Sequence, residues 1–156
     1  MRLLALLAAG LLAGSLLAAD DKKDEKKPKD AEAIVGKWQL EKIDFGPDTP
    51  AEANKELSDG YFLFSADKLV IKFPRDKELR EGTYTLDPAA SPKTLDLTMK
   101  GDKEKRLGLY ELDGDTLKLC LTNSDGSPRP AKMEADPKKY VGVITLKRVK
   151  EEKKDK

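Results

Sequence analysis

The sequence predicts an all-β fold, an eight-stranded antiparallel up-and-down barrel with one short helix after the first strand. Three observations lead there. Apolar and polar residues alternate in the period of a strand through most of Ile34 to Lys150. The links between these stretches are mostly short, so neighbours in sequence pair as neighbours in a meander. One phrase also occurs twice: Arg80 to Leu97 reads REGTYTLDPAASPKTLDL and Arg106 to Leu119 reads RLGLYELDGDTLKL, both fitting R-x-G-x-Y-x-L-D, a turn, then T-L-x-L.

The elements follow in order. A first strand is expected from Ile34 to Asp44, and then a polar stretch, Gly46 to Gly60, in which Pro50 to Leu57 makes the short helix. Two strands, Tyr61 to Ser65 and Lys68 to Phe73, flank a tight turn at Ala66-Asp67, with Leu69, Ile71 and Phe73 on one face. The remaining strands are expected at Glu81 to Asp87, Thr94 to Lys100, Arg106 to Leu112, Thr116 to Thr122 and Val141 to Val149. Asp113-Gly114 has the residues that favour a primed hairpin turn. The one long connection, Asn123 to Lys139, contains three prolines.

Each copy of the repeated phrase reads as one β-hairpin. Gly82, Tyr84 and Leu86 share a face in the first, with Leu95, Leu97 and Met99 returning; Gly108, Tyr110 and Leu112 repeat this against Leu117, Leu119 and Leu121. An inward glycine leaves room for a large side chain opposite and lets the strand bend, which closing a small barrel requires. The repeat is therefore architectural, and Tyr84 and Tyr110 read as core or cavity lining rather than as paired catalytic phenols. The expected inward set is Trp38, Tyr61, Leu63, Leu69, Ile71, Tyr84, Leu86, Leu95, Leu97, Tyr110, Leu112, Leu117 and Leu119. From it, Trp38, Tyr61, Leu63, Ile71, Tyr84, Leu86, Leu97, Tyr110 and Leu119 are the candidate ligand-binding residues of the interior. In the second copy Leu107 and Leu109 take outward positions that Glu81 and Thr83 hold in the first. They need a cover, for which Pro50 to Leu57 is the candidate, or they form a patch for a protein partner.

The chain ends carry a different message. Met1 to Ala19 has one basic residue, Arg2, then an apolar run closing in small residues, the pattern of a secretory signal peptide. The run is short for a membrane span, which takes roughly 20 apolar residues; a retained signal anchor is the alternative. LAGS puts Ser15 where a lipidated cysteine would be required, so no lipid anchor is expected. Residues 20–32 and 151–156 are almost wholly charged and read as a disordered linker and tail around a domain at 33–150. The expected location is the periplasm or the extracellular space, with no membrane association after cleavage.

Composition removes several chemistries. Losing Arg2 with the leader leaves bases and acids equal in number, so no global field draws in nucleic acid. There is no histidine, which excludes Ser-His-Asp and Cys-His catalysis and HExxH zinc chemistry. Cys120 is the one cysteine, so an intrachain disulfide is excluded. It alternates with Leu119 and Leu121 and is expected half-buried on the outer face. Asp113 and Asp115 flank Gly114, but Thr116 starts a strand at once, leaving a turn rather than a calcium loop. No catalytic residue, metal or cofactor is assigned.

Gly36-Lys37-Trp38, near the start of the first strand, resembles the G-x-W of lipocalins. In that family the tryptophan plugs the closed end of the barrel and an arginine after the last strand packs on its ring; Arg148 in Leu146-Lys147-Arg148 holds the matching place, which makes Gly36, Trp38 and Arg148 the structural residues. The chain is also similar to a family of small secreted lipocalin-like domains of uncharacterised function, described from planctomycete genomes. That resemblance is carried by Gly36-Lys37-Trp38, by Glu81 to Pro88 (EGTYTLDP), by Pro92 to Leu97 (PKTLDL), by Gly108 to Cys120 (GLYELDGDTLKLC), by Arg129-Pro130 and by Leu146 to Val149 (LKRV). It implies export and a lipocalin-like barrel, with no established activity. The T-D-Y signature of larger lipocalins is missing.

The functional expectation is an exported, non-enzymatic lipocalin-like module, structural or protein-interacting at the cell envelope; the alternative is a carrier of a small apolar ligand inside the barrel. The bulk of the inward set favours a filled interior that binds such a ligand weakly or not at all.

Overall fold

In the computed structural model, which describes residues 29–47, 49–122 and 126–150, eight antiparallel strands close into one barrel in sequence order. They are β1 (Gly36–Asp44), β2 (Tyr61–Phe64), β3 (Lys68–Lys72), β4 (Arg80–Asp87), β5 (Thr94–Met99), β6 (Arg106–Asp113), β7 (Thr116–Thr122) and β8 (Val141–Arg148). Pairing of β1 with β8 closes the barrel and removes both sheet edges. The leader, residues 20–28 of the linker and the tail lie outside the described residues.

Register explains which side chains fill the interior. Residues directly opposite one another in an antiparallel pair point to the same face. Gly82 opposes Met99 and Gly108 opposes Leu121, so each repeated glycine does face a large side chain. A Cβ on Gly108 would come within 2.5 Å of a Leu121 methyl and 2.7 Å of the Cys120 carbonyl. Tyr84, Leu95, Leu97, Tyr110, Leu117 and Leu119 are all buried in the main core, with Leu86 and Leu112 packed against it. Between Leu40 and Lys42 the pairing with β8 slips by one residue, a bulge that returns Ile43 to the inner face opposite Ile144.

Two residues expected inside stand outside. Tyr61 and Leu63 lie on the outer face, where Lys37 rests 4.4 Å from the Tyr61 ring centroid and Leu63 is exposed. Their neighbours Phe62 and Phe64 point inward instead, opposite Trp38 and Gly36 on β1 and opposite Ile71 and Leu69 on β3. All four residues of YFLF are apolar, so alternation alone leaves the face open; burying the two phenylalanines removes the more apolar pair from water.

The two ends of the barrel differ. At one end, residues 65–67, 88–93 and 114–115 make short connections beneath α1 (Lys29–Ala33), a helix expected to be part of a disordered linker. Asp30 fastens it: the Lys93 ammonium and the Tyr110 hydroxyl both donate to Oδ2, at 2.7 and 2.8 Å. Ile34 follows, fully buried, and its carbonyl accepts a 2.7 Å hydrogen bond from Nε1 of Trp38. Trp38 is itself fully buried, with the Arg148 guanidinium 4.1 Å from its ring centroid. That guanidinium also donates to the carbonyls of Ala33 and Val35. This is the closed end, and the described chain both enters and leaves there.

The outer face of β6 and β7 has a cover, but not the expected one. Leu109, Cys120 and Val141 form a second buried cluster beneath Met133 of the long β7–β8 connection. Arg129 holds the strap in place, donating to the Gly108 carbonyl at 2.7 Å while its other nitrogen lies 2.7 Å from Asp96. The Cys120 thiol points at the Lys132 and Glu134 carbonyls, 3.5 and 3.6 Å away, and is buried completely rather than by half. Burial pushes this thiol up from its ordinary value. Leu109 is therefore not available to a partner. The segment expected to cover it runs instead along the end of β1: Asn54 exchanges hydrogen bonds with both backbone groups of Ile43, at 2.8 and 3.1 Å, and Leu57 enters the main core.

Candidate ligand cavity at the open end

Opposite the Trp38 end the barrel is open, because three longer connections (residues 45–60, 73–79 and 100–105) and the start of β8 surround its mouth instead of crossing it. A cavity of about 1070 Å³ opens there, at the top of the range usual for small-molecule sites. Its deep wall is apolar: Phe62, Ile71, Leu97, Met99, Leu121 and Ile144, with Ile43 and Phe73 nearer the mouth. Phe62 and Phe73 meet edge-on, centroids 6.0 Å apart. Buried Thr122, at the end of β7, borders the upper wall.

Charges collect at the rim, in two related loops. Arg80 pairs with Asp76 at 2.8 Å, and Arg106 pairs with Asp102 at 2.7 Å. Each arginine opens a strand and each aspartate lies four residues before it, in the matching phrases Asp76-Lys77-Glu78-Leu79-Arg80 and Asp102-Lys103-Glu104-Lys105-Arg106. The internal repeat is thus longer than the tyrosine motif, and its added part, D-K-E-x-R, builds an ion-paired clasp at two places on the same rim. Arg80 also lies 5.1 Å from the Phe73 ring centroid, which ties one clasp to the apolar wall. The fourth positions differ: Lys105 in the second loop, and in the first Leu79, an exposed apolar side chain lining the mouth.

The sequence-predicted site residues divide among three places. Ile71 and Leu97 line the cavity. Trp38, Tyr84, Leu86, Tyr110 and Leu119 pack the closed half of the barrel, and Tyr61 and Leu63 stand outside. Neither inward tyrosine can orient a ligand from where it sits. The Tyr84 hydroxyl donates to the Ser65 carbonyl at 2.8 Å, and Tyr110 to Asp30. Burial, then the charge of Asp67, raises Tyr84 above the ordinary tyrosine range. Phe62, Phe73, Ile43, Met99, Leu121 and Ile144 were missed as wall residues. Met99 and Leu121 carried a signal, each being the residue opposite a repeated glycine.

Asp115 ends in a turn and faces Arg148 and Lys150, at 3.5 and 2.9 Å. Among the described residues no cluster of His, Cys, Asp and Glu is suited to hold a metal ion.

Comparison with protein families adds one decisive finding. The model of a lipocalin-like domain family matches residues 34–119, more than half of the chain, from the buried Ile34 through the β7 core. The chain belongs to the lipocalin-like domain family. The match spans the G-x-W motif, both inward tyrosines and both copies of the repeat, and it stops before Arg148. No curated protein and no solved structure matches the chain. Lipocalin-like domains are generally non-enzymatic and act as ligand-binding or structural modules.

Proposed function

We propose that this lipocalin-like domain is an exported, non-enzymatic carrier that holds a small apolar or amphipathic ligand at the open end of the barrel. The observation that carries the reading is the cavity of about 1070 Å³, apolar in depth and polar at the rim. The expectation of a solid interior rested on bulky inward side chains, but these fill only the half nearest Trp38. In the other half the wall residues stand around a space large enough for a ligand, with water-facing charges where a head group would emerge. The strap covers Leu109, one of the two leucines on which a protein-interacting role was based, while Leu107 stays half-buried, which favours the carrier reading. Export is supported by the leader pattern of Met1 to Ala19.

The test is titration of the delipidated protein with a fluorescent single-chain amphiphile. Saturable one-to-one binding with Kd near 1 μM, worth roughly 8 kcal/mol, is expected, and Met99→Trp, which fills the cavity, abolishes it. Absence of saturable binding overturns the reading. For export, the intact mass of protein recovered from its host is expected to correspond to a chain beginning at Ala19 or Asp20.

A further inference from the structure

A second, smaller cavity of about 380 Å³ lies beside the first. Pro50, Ala53 and Leu57 form one side of it and Phe73 and Pro74 another. Three residues belong to both cavities: Ile43, Phe73 and Arg75. Two of these are apolar and form the partition; the third is charged and stands at the lip, 3.8 Å from Glu56 across the groove. The charged group common to the two spaces is therefore at the surface, and Ile43 and Phe73 stand between two compartments. A single-chain amphiphile would leave one compartment unfilled. A ligand with one polar head and two diverging apolar chains would fill both.

We propose that the side cavity takes the second chain of a two-chain amphiphile whose first chain occupies the barrel, with the head group held at the Arg75–Glu56 lip. This rests on the carrier reading above and deepens it by naming the ligand class. Each compartment alone falls within or close to the range of a small-molecule site of roughly 300 to 1,000 Å³, so the side cavity is large enough to matter to affinity. Glu52 joins Glu56 and Arg75 in its lining, and the remaining six residues are apolar, so filling the space between them with hydrocarbon is favourable. Ala53 is the small residue in its wall, and it stands apart from the barrel cavity. Substitution there separates the two compartments experimentally.

The experiment compares a lysophospholipid with its diacyl counterpart, matched in head group, chain length and fluorophore, each titrated as monomer into the mature protein. The diacyl form is expected to bind about tenfold tighter or better, a difference of about 1.4 kcal/mol. Ala53→Trp, or the milder Ala53→Phe, is expected to erase that preference while lysophospholipid binding stays within about twofold. Equal binding of the two lipids by the wild type, or an unchanged preference in a folded Ala53 variant, overturns the two-chain proposal and leaves the carrier reading standing. Failure of both lipids to bind overturns the carrier reading itself. A second measurement needs no variant. A photoreactive group at the tail of the second chain is expected to label Pro50 to Leu57, and labelling confined to the barrel strands refutes the proposal.

Discussion

The Tyr110 hydroxyl donates a 2.8 Å hydrogen bond to Asp30, 80 residues earlier in the chain. Through this bond, and the Lys93 ion pair beside it, a five-residue helix too short to stand alone becomes the floor of the barrel.

Burial pushes the Asp30 carboxyl up, but the Lys93 and Tyr110 hydrogen bonds and the Lys93 charge outweigh it and hold it below the usual carboxylate range. A depressed folded-state value means stability that is present above the unfolded value, about 3.9, and lost as pH falls through the folded one. Asp30→Asn is expected to cost about 1 to 2 kcal/mol at neutral pH, with the gap to wild type narrowing below about pH 4. Urea melts of both proteins at pH 7 and pH 3 check this. At the alkaline end the sign reverses. Burial and then Asp30 raise Tyr110, so its contribution is present below the ordinary tyrosine value and lost as pH rises through the folded one. Tyr110→Phe should lack that alkaline loss.

Trp38, the one tryptophan, reports the closed end alone. Its emission is expected at the short wavelengths of buried indole and is expected to move to those of exposed indole only on unfolding. Trp38→Ala should cost roughly 3 to 5 kcal/mol. Arg148→Met should cost about 0.5 to 2 kcal/mol from the lost ring contact, and more where the Ala33 and Val35 carbonyls lose their donor. Thermal melts measure both.

The repeated glycines admit no side chain. A Cβ on Gly82 would sit 2.5 Å from the Thr98 carbonyl, and Gly108 is equally crowded. Gly82→Ala and Gly108→Ala are each expected to destabilise by about 1 to 3 kcal/mol through overpacking. Chemical denaturation gives the figures, and a neutral result at both positions would contradict the register described above.

Cys120 should react slowly with a thiol reagent in the native protein, because it is buried under the strap and its thiol is hard to ionise. Arg129→Ala releases the strap from Gly108 and Asp96 and is expected to speed labelling about tenfold or more, corresponding to roughly 1.4 kcal/mol easier opening.

What could be read from the sequence was the periodic part. The repeat made both hairpins legible, and G-x-W with Arg148 marked the closed end. The direction of β2 was readable in principle. The two-residue turn at Ala66-Asp67 puts Ser65 opposite Lys68 and hence Phe64 opposite Leu69, so once Leu69 is inward, Phe64 must be too. The D-K-E-x-R clasps were also legible in the sequence, each ending on the arginine that opens the tyrosine motif. Other features had no local signal. Which segment would cover Leu109 depended on where a proline-rich connection of no periodicity would lie. The role of Asp30 depended on partners 63 and 80 residues away. The cavity depends on side-chain volumes at one end of the barrel only, which alternation does not resolve.

Because α1 enters and β8 leaves at the same pole, the protein has a natural handle and a free working end. A fluorophore, a fusion partner or a solid support attached at Lys29 or Lys150 would sit roughly 25 Å from the mouth, about the length of an eight-residue strand. Ligand exchange at the mouth should then proceed on an immobilised protein as it does in solution, and two domains joined end to end would each keep an unobstructed opening.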